Sequence, residues 1–178
     1  YISQLDAFYK KDYINNDKGA YIFKNLWNIV IQRKDKIHKK SLYNLADVGI
    51  RAYNHQGIGS RENPYYKICE ELKVHVPIET YIDTLNRSIQ AHVNDFNFDK
   101  AIEVQIYTLE CINILKKAII DISELQDTDS NVSAKITSRG RALSSLGQFY
   151  AFKRNPKALG YFEEALEEFG DDEGNCQI

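Results

Sequence analysis

The sequence predicts an all-α fold, and three observations carry that prediction. Apolar side chains recur every three and four residues along nearly the whole chain, the period of a helix with one face turned inward. The one stretch that alternates as a strand does, Val74-His75-Val76-Pro77, is four residues long and reads as a linker. Each of the three prolines stands where a helix would start, the position at which its missing N–H costs nothing. The 178 residues are 43% apolar, 12% aromatic and 27% charged, a globular profile with the length of one domain or a short repeat array. A chain of this size buries about 70% of its unfolded surface and needs no metal or disulfide to hold a core.

Eight helices follow in order. Leu5, Phe8, Tyr9 and Tyr13 fit a short first helix, ended by Asn15-Asn16-Asp17-Lys18-Gly19. Ile22, Phe23, Leu26, Trp27, Val30 and Ile31 form a broad stripe on a second. Leu42, Leu45, Ala46, Gly49, Ala52 and Tyr53 do so on a third, closed by Gly57-Ile58-Gly59-Ser60. Asn63-Pro64 caps a short fourth helix that uses Tyr65, Ile68, Cys69 and Leu72. Pro77 opens a fifth with Tyr81, Ile82, Leu85, Ile89 and Val93 inward, and the chain has a possible sub-unit boundary at 76/77. After Asn94–Phe98, Asp99 can cap a long sixth helix from about Lys100 to Ile122. Its row of Ile102, Ile106, Leu109, Ile112, Leu115 and Ile119, widened by Val104, Tyr107, Ile114 and Ala118, suits contact on two sides. A polar loop, Ser123–Asn131, leads to a seventh helix with Ile136, Leu143, Leu146 and Tyr150. Asn155-Pro156 starts an eighth that turns Ala158, Tyr161, Phe162, Ala165 and Phe169 inward.

The composition excludes several classes. Cys69, Cys111 and Cys176 are odd in number and widely spaced, which argues against a disulfide framework and for a reducing, cytoplasmic setting. Charges interrupt every apolar run before the roughly 18 residues that a membrane span needs. Asp6, Lys10 and Lys11 break any signal-peptide core, and the chain has no methionine, so it reads as a single helical domain excised from a longer protein. The balance of 23 basic against 25 acidic residues excludes a wholesale basic wrapper of nucleic acid.

One helix pair carries a family pattern. Leu146-Gly147, Tyr150 three residues on, then Ala158, Phe162, Ala165 and Gly170 resemble a tetratricopeptide repeat, over residues 136–170. In such a pair Gly147 and Ala158 are small where two helices cross, while Leu146, Tyr150 and Phe162 fill the volume beside the crossing. Ala165 admits the next helix. The turn between Gly147 and Ala158 is one residue shorter than the family's, and Gly170 stands where proline is common. Phe98-Asp99-Lys100-Ala101-Ile102 resembles the start of another repeat helix, without the Leu-Gly pair before it. The resemblance implies antiparallel helix pairs stacked as a short α-solenoid; an irregular helical bundle is the alternative. It also implies a concave side lined by the first helix of each pair, which on the seventh helix carries Arg141, Ser144, Gln148 and Phe152. Hydrogen-bond donors beside an aromatic suit an extended peptide. The lysine-asparagine clamp that some members use for a terminal carboxylate is not reproduced.

Chemistry is sparse elsewhere. His38, His55, His75 and His92 sit in no HExxH helix and near no CxxC pair, so no metal and no cofactor is expected. Cys69 and Cys111 fall on apolar faces, as small hydrophobes do. Gly57-Ile58-Gly59-Ser60-Arg61 lacks the lysine-serine end of a phosphate loop and reads as a helix terminator. Glu70-Glu71, Glu163-Glu164 and Glu167-Glu168 read as solvated pairs. No catalytic constellation is present in the sequence.

Charge is unevenly spread. Residues 1–40 hold nine Lys/Arg and four Asp, or +5, and residues 155–178 hold one Lys against seven Asp/Glu, or −6. Arg33, Lys34, Lys36, Lys39 and Lys40, beside His38, form a basic cluster. Cations at the end of the second helix would complement its dipole; as a patch they would meet an acidic partner or a nucleic-acid backbone. The expected function is a non-catalytic scaffold or regulatory domain that binds a protein or peptide on a tetratricopeptide-like concave surface. The alternative is a sensor or regulatory domain that binds nucleic acid or a nucleotide through Arg33–Lys40. No membrane partner is expected, and the sequence sets no oligomeric state.

Overall fold

The computed structural model describes residues 16–55, 64–126 and 130–170. The expected first helix, the Gly57–Arg61 loop and Asn63 lie outside the described residues. Those described are helical, with no strand among them: α1 (Asn16–Ile31), α2 (Lys39–His55), α3 (Tyr65–Leu72), α4 (Ile78–Asn94), α5 (Phe98–Gln126), α6 (Ser130–Phe152) and α7 (Lys157–Phe169). Short 3-10 turns, Lys34–Lys36 and Lys73–His75, precede α2 and α4. No helix among the described residues is long and apolar enough to cross a membrane. The chain divides into two compact units, residues 1–96 and 97–178.

Unit 1 is organised around α2, which packs against α1, α3 and α4. Leu42, Leu45, Ala46 and Ala52 are buried as their spacing predicts, and so are Tyr43, Val48 and Ile50 on its other sides. Over Gly49 sits an aromatic cluster: Tyr65 meets Phe23 edge-on at 5.2 Å and Trp27 at 4.8 Å between ring centroids. A Cβ on Gly49 would lie 2.7 Å from the Phe23 ring and 2.8 Å from Tyr65, so only glycine lets both rings reach the helix. The linker Val74–Pro77 is the end of a 3-10 turn followed by two extended residues, Val76 at φ −129° and ψ 158° and Pro77 at φ −58° and ψ 147°. Pro77 precedes α4, as its place in the sequence predicts. The 76/77 boundary falls inside unit 1, because α4 returns onto α2: the Tyr43 and Thr84 hydroxyls are 2.7 Å apart.

Unit 2 has α6 packed against both α5 and α7. α5 begins two residues earlier than the sequence suggests. Its cap is Asn97, whose Oδ1 accepts from the Lys100 N–H at 3.3 Å. Asp99 therefore lies in the first turn, where its charge suits the helix dipole and pairs with Lys153. α5 also runs through Ser123 to Gln126, and α6 starts at Ser130, so most of the expected Ser123–Asn131 loop is helix; Ser123-Glu124-Leu125-Gln126 holds nothing that breaks the ladder.

The inward face of α5 is Ala101, Ile102, Gln105, Thr108, Cys111 and Ile112, all buried, whereas Ile106, Tyr107 and Ile114 are exposed. Two polar residues join this face because the small side chains admit α6 and Thr108 satisfies its hydroxyl on the Val104 carbonyl at 2.8 Å. Leu143 and Leu146 of α6 and Ala165 of α7 are fully buried. Between α6 and α7 the Asn155 N–H bonds the Tyr150 carbonyl and the Arg154 N–H the Ala151 carbonyl, a Schellman turn that holds Arg154 at φ 52°. Gly170 ends α7 at φ 59° and ψ −148°, a conformation essentially reserved for glycine.

Candidate functional site

Arg141, Ser144, Gln148 and Phe152 form one row along α6, at intervals of three, four and four residues. Arg141, Gln148 and Phe152 are exposed and Ser144 is half-buried. Phe152 is 67% exposed, an unusual state for a phenylalanine at the end of a packed helix. It is not alone there. The ring of Phe98 stacks on it at 5.2 Å and 21°, and lies 6.4 Å from Phe149. In the sequence Phe98 reads both as the last residue before the sixth helix and as the start of a repeat-like helix; the Asn97 cap places it in the first turn of α5. Arg141 and Gln148 make no side-chain hydrogen bond or ion pair among the described residues.

The scaffold under this row is firmly held. Arg139, two residues before Arg141, pairs with Glu168 of α7, and its Nε donates to Asn113 Oδ1 of α5 at 3.1 Å. Lys116 approaches Glu168 at 3.5 Å. Glu168 is therefore no solvated carboxylate: its side chain is 16% exposed and ties three helices together. Glu163, Glu164 and Glu167 are exposed as expected. Glu70 is also exposed, and it is bonded by both Lys73 and Tyr81. Burial pushes its carboxyl up, but those two hydrogen bonds and the Lys73 charge outweigh it, and the net shift is downward.

Of the packing residues, Leu146 and Ala165 are fully buried and Ala158 and Phe162 are half-buried. A Cβ on Gly147 would stand 2.6 Å from the ring of Phe162, and one on Gly140 2.6 Å from the ring of Phe169. The close neighbour of Gly147 is thus an aromatic ring, not the α7 backbone at Ala158. Tyr150 stacks on Tyr161 at 5.3 Å and 4°.

The basic cluster lies between α1 and α2. Arg33, Lys34, Lys36, Lys39 and Lys40 are all exposed, and none forms an ion pair among the described residues. The helix-dipole explanation does not hold for them. α1 stops at Ile31 with no basic residue in its last turn, and Lys39 and Lys40 open α2, whose first turn has no acid. Cations at that end oppose the dipole.

A third polar group faces inward. Thr84 donates to Asp47 Oδ1 at 2.9 Å, Arg87 donates to the same oxygen at 2.7 Å, and Arg51 Nε lies 3.4 Å from Oδ2. Burial raises the Tyr43 hydroxyl well above the usual tyrosine range, against the lowering effect of its Thr84 hydrogen bond. Burial, then the Asp47 charge, does the same to the Cys69 thiol, which is hence an unreactive hydrophobe. With Tyr43 and Thr84 fully buried, this network joins α2 to α4. Among the described residues no three His, Cys, Asp or Glu side chains converge as metal ligands would. Comparison with protein-family models, curated proteins and solved structures gave no match for the chain.

Proposed function

We propose that this chain is a non-catalytic scaffold or regulatory domain that binds a protein or peptide along the outer face of α6, part of a larger cytoplasmic protein. In this reading the helices of each unit are antiparallel neighbours, stacked as in a tetratricopeptide-like solenoid. The contacts support it by their order. Gly140 meets Phe169 and Gly147 meets Phe162, so the contact climbs one helix as it descends the other. Asp99 with Lys153 and Asn113 with Arg139 do likewise for α5 and α6. Tyr43 with Thr84 and Asp47 with Arg87 instead advance together, as alternate helices of a stack would.

The observation that carries the binding role is the row of Arg141, Gln148 and Phe152 on a braced helix: polar groups unengaged among the described residues, leading to an exposed phenylalanine stacked on the half-buried Phe98. An extended peptide would receive hydrogen bonds from Arg141, Ser144 and Gln148 and bury an apolar side chain against Phe152 and Phe98. A preformed surface of this kind loses little entropy on binding. Buried free Cys69 and Cys111 support the reducing compartment.

The test is selection of peptides from a displayed library, with affinities then measured by fluorescence anisotropy. Arg141→Glu with Gln148→Ala should weaken selected peptides by about tenfold or more, since lost hydrogen bonds to a charged group are worth about 1.5–3 kcal/mol. The circular dichroism spectrum should not change. Peptides that bind parent and variant equally would refute the site.

A further inference from the structure

α7 turns Ala165, Phe162 and Phe169 toward α6, and its other side is bare. There Leu159 and Leu166, two turns apart, are 65% and 43% exposed. Glu163 and Glu167 flank them, both exposed. Gly160 completes this face. A Cβ on Gly160 would meet nothing within 4 Å, whereas one on Gly49, Gly140 or Gly147 would run into an aromatic ring. Glycine weakens a helix interior relative to alanine. At the other three positions a seated ring offsets that weakness; at Gly160 no contact among the described residues does. The face is apolar, acidic at its margins and notched for a side chain.

A matching surface stands at the other end of the sequence. α1 exposes Tyr21 (69%) and Ile29 (59%), with Lys24 exposed between them. The exposed Arg33–Lys40 cluster, which forms no ion pair among the described residues, continues past its end. We infer that the chain associates head to tail with a second copy, the basic α1 face of one molecule lying on the acidic α7 face of the next. Tyr21 occupies the notch at Gly160, as Phe162 occupies Gly147, and Lys24 and the Arg33–Lys40 turn face Glu163 and Glu167. A symmetric pairing of two α7 faces would set like charges against each other, so the contact is heterologous. Two helix faces make an interface smaller than the roughly 1,600 Å² standard size, the class of weak and transient contacts, and its charge pairs make it salt-sensitive. Neither face includes the α6 row, and this inference stands or falls apart from the peptide site.

Sedimentation velocity of the full chain tests it, from about 5 to about 500 μM and at about 50 mM and about 500 mM salt. The average mass should rise with concentration at low salt and return to one chain at high salt. An α7 variant, Glu163→Lys with Leu166→Lys, and an α1 variant, Tyr21→Ser with Lys24→Gln and Ile29→Ser, should each stay monomeric. Their equimolar mixture should form a complex of two chains and nothing larger, because each retains one intact face. Gly160→Ala fills the notch without threatening the fold; it should raise the melting temperature yet weaken association about tenfold. A mass independent of concentration at low salt would overturn the inference. So would association that survives Gly160→Ala at full strength, or that only one of the two face variants abolishes.

Discussion

The two units hold their helices together by different means. In unit 1 the central helix α2 is buried on most sides, and its join to α4 is polar: Tyr43, Thr84, Asp47 and Arg87 form one chain of hydrogen bonds. In unit 2 the join of α6 to α7 is steric, with phenylalanine rings laid on Gly140 and Gly147, and the charged tie Arg139–Glu168 runs along its margin. A buried polar chain fixes which residues face each other, because a slipped register leaves charges unpaired in low dielectric. A ring on glycine fixes the distance instead, because nothing larger than hydrogen fits beneath it. The first device is vulnerable to loss of a partner and to pH, the second to added volume.

That contrast can be broken in order of expected effect. Asp47→Ala should be the most damaging, removing the buried carboxylate that accepts from both Thr84 and the Arg87 guanidinium. Removing one member of a buried pair costs about 3–5 kcal/mol, but Arg87 is 29% exposed, so about 3 is expected. Denaturant unfolding followed by Trp27, a buried reporter in unit 1, measures it. Gly147→Leu should cost about 1–3 kcal/mol by overfilling the space under Phe162, seen as a lower midpoint by circular dichroism. An unmoved midpoint would mean that the ring is not confined there.

Smaller effects sharpen the comparison. Tyr43 and Cys69 have folded pKa values raised above their unfolded ones, so the stability tied to their neutral forms is complete below the unfolded pKa and lost as pH rises. The Trp27-reported melting temperature should therefore fall from about pH 8.5 upward, and Cys69→Ala should flatten the first part of that fall. The smallest change expected is a gain. Arg154 sits at φ 52°, where a non-glycine residue costs about 1–2 kcal/mol, while glycine adds about 0.5–1 kcal/mol of unfolded-state entropy. Arg154→Gly should stabilise the chain by about 0.5 kcal/mol, read as a slightly higher melting temperature.

Helical period and punctuation were legible in the residues themselves. Trp27, Leu45, Tyr65, Leu85, Leu143 and Leu146 lie inward because their spacing places them on one face, and Pro77, Asn155-Pro156 and Gly170 mark ends because proline and glycine restrict or release the backbone locally. Such signals act within a few residues and need no distant partner. The site was half legible: the α6 row follows from a helical repeat, but Phe98 beside Phe152 does not, since 54 positions separate them. Nor could spacing reveal that Gln105 and Thr108 face inward while Ile106 faces out, or that Glu168 is a half-buried tie and Glu167 an exposed surface charge. Periodicity tells which side of a helix is apolar; which side is covered depends on where its neighbours lie. The sequence by itself determined that this protein is helical and where most of its helices begin and end. The tertiary structure alone decided which faces remain bare, because exposure is a property of the packed helices together and not of any one of them.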